Sequence, residues 1–263
     1  MRKTILGKVA LTLLTALAIC ASASVASAAG VVKGSVVKLT NPSFPLGAGG
    51  NGEFSVDVKE SGVFDDVIDF HTFCIEKGQS FVPGTELDVV DLSKSTIGLA
   101  PAPVLTKKVA WLFIEYTRVR AGLVGAIANF YRMDSAANMN ADADALQNAI
   151  WHYTAPSQTA LTPGNKYATL LTIYDSAVNL LVEGTNDIGG VSIMQMKTGG
   201  AWSGPGAGLG DYIGGTNRQD QLYADLDRIP PPSSVPEPAS IAMWLSVAVG
   251  GMVARRRRIA QAC

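Results

Sequence analysis

One cysteine stands between two apolar terminal segments, and that arrangement sets the terms on which this 263-residue chain can fold. At the N-terminus Arg2, Lys3 and Lys8 precede an apolar run over 9–20, and small residues lead on to Ala26-Ser27-Ala28. A charged region, a short apolar region and an A-x-A site in that order predict a secretory signal over residues 1–28, cleaved after Ala28. The run is shorter than the roughly 20 residues of a membrane-spanning helix, which argues against a retained anchor. At the other end Pro236-Glu237-Pro238 is followed by an apolar stretch over 239–254 and then by Arg255, Arg256, Arg257 and Arg258. Cys20 falls in the first segment and Cys263 beyond the second, so Cys74 is alone in between. An exported domain with no partner for an internal disulfide must be held together by packing. Its thiol is then a buried small hydrophobe, an intermolecular disulfide partner, a nucleophile, or one half of some other cross-link.

The C-terminal signals form a three-part sorting tail over 236–258, set off by a stiff Pro/Ser linker at 230–235. These residues resemble the PEP-CTERM domain of Gram-negative bacteria. The resemblance implies an exosortase-type processing enzyme as a partner and transient contact with the inner membrane through the C-terminal segment. It also implies a cell-surface or extracellular location once the tail has been processed near the Pro-Glu-Pro motif. A plain C-terminal anchor is the alternative, for which 239–254 is a little short without tilt or bilayer thinning.

Removing both ends changes the charge balance. Of 21 Lys and Arg, three lie in the signal and four in the tail, leaving 14, whereas only Glu237 is lost from 22 Asp and Glu. The remaining segment is acidic, near −7, with no basic stripe to neutralise phosphates, so no nucleic-acid partner is expected. Residues 29–229 are enough for one domain with a real core. His71 and His152 are too few for an imidazole metal site and no cysteine pair exists, so no metal is expected. Asp65, Asp66 and Asp69 read as a solvated turn rather than a calcium site. The glycine run at 204–210 lacks the strand-turn-helix context of a dinucleotide loop and carries Pro205, so no cofactor is expected either.

Along the chain, strands come first and helices follow. Segments 31–40, 54–59, 68–76 and 86–92 are rich in β-branched residues and separated by Gly/Pro/Asn clusters. The period then changes: Val109, Leu112, Phe113 and Tyr116 fall at helical spacing, and 123–131, 142–153 and 166–183 read as further helices. Segments 191–197 and 221–226 look like returning strands, with a Gly-rich loop at 199–215 between them. The predicted class is α+β: an antiparallel β-sandwich or barrel with an inserted central group of helices.

Two segments carry chemistry. Around Cys74 the strand pattern His71-Thr72-Phe73-Cys74-Ile75-Glu76 puts Phe73 and Ile75 on one face and Thr72, Cys74 and Glu76 on the other. In the helix over 142–153, positions 143, 146, 147, 150 and 151 share a face, so Gln147 sits among Ala143, Leu146, Ile150 and Trp151 where apolar residues are expected. A buried carboxamide must find partners, since an unsatisfied one costs roughly 1–3 kcal/mol.

Phe73-Cys74-Ile75-Glu76 on a strand, followed by Leu146-Gln147-Asn148-Ala149-Ile150-Trp151 on a helix, resembles the thioester domains of bacterial surface adhesins. Their pattern is an aromatic-Cys-Ile-acid strand and a Thr-Gln-x-Ala-Ile-Trp helix. The resemblance covers about residues 68–155 and implies that the Cys74 thiolate attacks the Gln147 carbonyl, releases ammonia and leaves an internal thioester. Such a bond is a caged electrophile that an amine or hydroxyl on a target surface opens, with Phe73, Ile75, Ile150 and Trp151 as the supporting pocket. Leu146 stands where the family has Thr, and Glu76 where Asp is more frequent. The implied protein modifies itself rather than turning over a substrate, so no catalytic residues are expected. Two other readings remain: a structural biofilm-matrix protein with an inert thiol, and a cysteine hydrolase in which His152 activates Cys74 and Gln147 donates to an oxyanion. His71, an odd number of residues from Cys74, falls on the opposite face.

Overall fold

In the computed structural model, which describes residues 30–40, 52–64, 68–77, 82–97, 100–123, 125–157, 159–184 and 186–229, alternation decides the first strands. In β1 (Val36–Thr40) Val37 and Leu39 are fully buried while their neighbours are half-exposed. β2 (Glu53–Val58) is buried along its whole length, which fits a strand deep in a sheet. β3 (Phe70–Phe73) and β4 (Glu86–Ser93) complete the first set. After the helices come β5 (Val191–Trp202), β6 (Tyr212–Asn217) and β7 (Gln221–Ala224).

All pairings are antiparallel, in the order β3-β2-β1-β4-β5, and β5 is long enough to pair with β6 through Lys197–Trp202 and with β7 through Val191–Met194. The α+β class holds, but the sheet is single, not paired as in a sandwich, and it is not closed into a barrel. β3 and β7 face each other across an open seam. They meet there through one isolated bridge, Cys74 with Gln221, beside the bond from Ile75 N–H to the Asp220 carbonyl at 3.1 Å.

The helices pack on one side. α1 (Lys107–Arg120) begins at Thr106, whose hydroxyl accepts from Val109 N–H, and is buried nearly all round, including Glu115 and Arg118. A helix with so little exposed face is a core element. α2 (Ala136–Thr154) starts at Ser135 and buries Ala143, Leu146, Gln147 and Ile150, the face expected from the sequence. α3 (Lys166–Ile173) and α4 (Asp175–Asn179) divide the single helix expected over 166–183. They part at Tyr174, whose backbone leaves helical geometry while its ring stacks on Trp111.

The helix expected over 123–131 does not form. Its residues make turns instead, with Ala128 N–H on the Gly125 carbonyl and Phe130 N–H on that of Ile127. The buried Glu115 carboxylate accepts Ala126 N–H at 2.6 Å and anchors this turn to α1. β6, expected to be loop, is a strand despite Gly214 and Gly215, both in the left-handed region. The glycine run at 204–210 is the turn of the β5–β6 hairpin.

Two cores result. The larger joins the helices to Phe73, Ile75, Ile193 and Leu222. The smaller is built from the other face of the sheet, with Val37, Leu39, Val56, Leu87, Val89, Met194, Met196, Tyr223 and Cys74. Among the described residues no helix is long and apolar enough to cross a membrane. The expected signal at 1–28 and the linker and tail at 230–258 lie outside the described residues.

Candidate functional site

The site lies at the seam. Because side chains alternate along an extended chain, Phe73 and Ile75 point into the helical core and Cys74 into the sheet's own core, as the sequence pattern requires. β3 ends at Phe73, so the Cys74 backbone is left without a full ladder partner. Gln147 takes up that role. Its Oε1 accepts from Cys74 N–H at 3.0 Å and its Nε2 donates to the Cys74 carbonyl at 2.6 Å. A side-chain amide presents an N–H donor and an acceptor oxygen side by side in one plane, so here it stands in for a strand edge.

Close packing brings it there. Gly52, at φ +85°, lies directly against Gln147, and a Cβ built on it would come within 2.4 Å of Gln147 Cγ and Oε1. Only glycine permits that approach without displacing the carboxamide. Next to it, the buried Glu53 carboxylate accepts from the Tyr116 hydroxyl at 2.9 Å and from that of Tyr131, tying β2 to α1 and to the following turns.

A second carboxamide reaches the sulfur itself. Gln221, fully buried in β7 opposite Cys74, donates from Nε2 to Sγ at 3.1 Å, and its buried Oε1 has no hydrogen-bond partner. Gln219 Nε2 donates to the Glu76 carbonyl at 2.6 Å, and Asp220 N–H to Glu76 Oε2 at 3.2 Å. Burial pushes the Cys74 thiol up to about 12; the Gln221 donor opposes that rise and the Glu76 carboxylate adds to it.

The expected pocket residues divide between two sides. Phe73, Ile75 and Ile150 back the strand and helix from the larger core, whereas Trp151, half-buried, packs against the smaller core that holds Cys74. The indole N–H of Trp151 has no hydrogen-bond partner, and Lys77 Nζ stands 5.8 Å from its ring centroid. Trp151 also borders an open cleft of about 690 Å³, lined further by Asp144, Asn148, Thr162 and Lys166.

Both imidazoles are engaged elsewhere. His152 Nδ1 lies 3.0 Å from the Thr159 carbonyl. His71 contacts Ser55, Glu53 and Arg120, and burial first, then the Arg120 charge, lowers it to about 3. Among the described residues no cluster of three His, Cys, Asp or Glu side chains could hold a metal ion. Asp69 Oδ2 accepts Val58 N–H at 2.6 Å, while Asp65 and Asp66 lie outside the described residues.

Gly52, Gln219, Asp220 and Gln221 are the site residues that sequence reasoning missed. The one local signal was Gln221 sharing a strand face with the apolar Tyr223, the same anomaly that singled out Gln147. Comparison with protein-family models, with curated proteins and with solved structures returned no match for this chain.

Proposed function

We propose that Cys74 and Gln147 form an internal thioester and that this chain is an exported, adhesin-like surface protein that bonds covalently to amine or hydroxyl groups of a target surface or matrix polymer. The observation that carries the reading is the two-point seating of the Gln147 carboxamide on Cys74, at 3.0 and 2.6 Å. A carboxamide held in this way is not free to leave the sulfur-bearing residue, and positioning of that kind is worth an effective molarity on the order of 10⁵ to 10⁸ M. Cys74 N–H already donates to Oε1, the oxygen that becomes negative when sulfur attacks. Gln221 Nε2 is a donor to the sulfur, as nucleophile in forming the bond and as leaving group when the bond is opened. Cys74 is 2% exposed, so water is kept from the product.

Export, processing by an exosortase-type enzyme and a surface location rest on the terminal sequence patterns. The chemistry is one self-modification followed by one capture, not turnover.

A second reading has its own support. Burial pushes the thiol up to about 12, which favours an inert side chain, and the same two hydrogen bonds explain Gln147 as a strand-edge cap in a structural matrix protein. Intact-mass measurement separates the two. The thioester reading expects a chain lighter by one ammonia, full mass in Cys74→Ala and Gln147→Ala, and a gain of one methylamine on incubation with that amine. A full-mass wild-type chain, in fresh material near neutral pH, refutes it.

A further inference from the structure

The ladder between β2 and β3 stops one rung short of the site. Its last pair is Glu53 with Phe73, and the next in the same register would be Gly52 with Cys74. The Cys74 carbonyl points toward that place, because it shares a trans peptide with Ile75 N–H, which points the other way, to Asp220 across the seam. Gly52 does not pair with it. At φ +85° it turns the chain aside, and the Gln147 carboxamide fills the gap, making with Cys74 the two hydrogen bonds a strand neighbour would have made.

Such a gap has to be held open, since pairing Gly52 with Cys74 would satisfy the same two backbone groups. Tyr116 of α1 clamps the rung that borders it. Its hydroxyl donates to Glu53 Oε1 at 2.9 Å, and its ring meets Phe73 edge-on at 4.8 Å between centroids, so one side chain holds both residues of the last pair. Tyr131 donates its hydroxyl to Glu53 Oε2 and packs edge-on against the Tyr116 ring at 5.1 Å. Arg120 brings the opposite charge, its Nε 3.4 Å from Glu53 Oε1, and His71 Nδ1 lies equally close. Glu53 and both tyrosines are buried, and a carboxylate so placed keeps its position only while such donors hold it.

We propose that Glu53, Tyr116 and Tyr131 are positioning residues that fix the last rung of the β2–β3 ladder, hold Gly52 out of register and keep the place beside Cys74 free for Gln147. They act through Gly52, which lies against the carboxamide, and not on the reacting atoms. The inference rests on the thioester reading and adds to it what seats the carboxamide on Cys74.

The test is cell-free synthesis of the full chain, sampled at intervals and weighed intact, so that each chain is followed from before its ammonia is lost. Wild type becomes lighter by one ammonia. Tyr116→Phe/Tyr131→Phe, which keeps both rings and removes both hydroxyls, does so on the order of 100-fold more slowly, although circular dichroism shows it folded. Leu171→Ala, which opens a cavity in α3 outside the cluster, keeps the wild-type rate and so separates positioning from lost stability. A wild-type rate in the folded double variant, or equal slowing in Leu171→Ala, overturns the inference. Should the double variant not fold, Tyr131→Phe alone carries the test, and an unchanged rate there overturns it. A wild-type chain that never loses ammonia overturns the thioester reading. The gap is then read by deuterium exchange of the segment around Cys74, which should be about 10-fold faster in the double variant, the worth of one hydrogen bond. Equal exchange overturns the positioning role as well.

Discussion

Gln147→Leu and Cys74→Ala together separate what the carboxamide does by hydrogen bonding from what it does covalently. Leucine suits the buried face of α2 but removes the acceptor 3.0 Å from Cys74 N–H and the donor 2.6 Å from its carbonyl. Cys74 is 2% exposed, so water does not replace them. Each orphaned backbone group costs about 1–3 kcal/mol, and burying leucine in place of an amide returns part of that, for a net loss of about 2–4 kcal/mol. Cys74→Ala keeps both bonds, because they are made to the backbone, and removes little more than a sulfur, at about 1–2 kcal/mol.

With the covalent bond present, both variants also lose the constraint on a loop of 73 residues, which chain-entropy arithmetic puts at about 4 kcal/mol. Cys74→Ala, which keeps the Nε2 bond that the thioester gives up with its ammonia, should therefore fall about 4–5 kcal/mol below wild type, and Gln147→Leu about 1–2 kcal/mol further. Such losses approach the whole stability of an ordinary domain. Urea unfolding followed by tryptophan fluorescence reads them from midpoint and slope together, the slope being steeper in the variants because the unfolded chain without a cross-link exposes more surface. Methylamine-treated wild type should drop by about 4 kcal/mol alone, having lost only the loop constraint. A Cys74→Ala loss of only about 1–2 kcal/mol means no cross-link existed. Gln147→Leu no weaker than Cys74→Ala refutes the strand-edge role of the carboxamide.

Four further outcomes are expected. Gly52→Ala must place a methyl group on Gln147 at a left-handed backbone, so it loses about 2–5 kcal/mol in thermal or urea unfolding and much of the ammonia loss seen by mass. Stability should fall as pH rises from about 6.5 to 8, by about 1.4 kcal/mol per unit, because Asp220 stays protonated in the fold up to about 8 while the unfolded chain has already ionised. Below 6.5 that slope is opposed by His71, which the fold keeps neutral down to about 3, so Asp220→Asn should flatten the curve above 6.5 and His71→Gln should change it only below. Asp142→Ala removes the carboxylate that accepts Arg132 N–H and pairs with the side chains of Arg132 and Lys166; the cations left behind are partly exposed, so the cost by urea unfolding should be only about 1–2 kcal/mol.

Much of the site's first half was legible because it is local. Strand alternation placed Cys74 opposite Phe73 and Ile75, and helical spacing placed Gln147 on the buried face of α2, as the structure has them. What failed was decided at a distance. The 123–131 segment has an acceptable helical pattern, but its backbone closes as turns, with Ala128 N–H on Gly125 and Phe130 N–H on Ile127, and it is anchored to another element through Glu115 and Ala126 N–H. β6 reads as loop because Gly214 and Gly215 carry no strand propensity, and only pairing with β5 makes it a strand. Gln221 meets Cys74 across 147 residues, and no periodicity within either segment encodes that contact.

The same contact fixes an order in time. Residues 219–221 lead into β7, the last strand among the described residues, so Cys74 and Gln147 are made long before the donor on the sulfur and the backbone N–H that meets Glu76. A chain that emerges N-terminus first therefore leaves the Cys74 sulfur without its Gln221 donor until β7 has docked. The seam between β3 and β7 acts as a completion check, and a chain cut short before β7 would not possess a finished site.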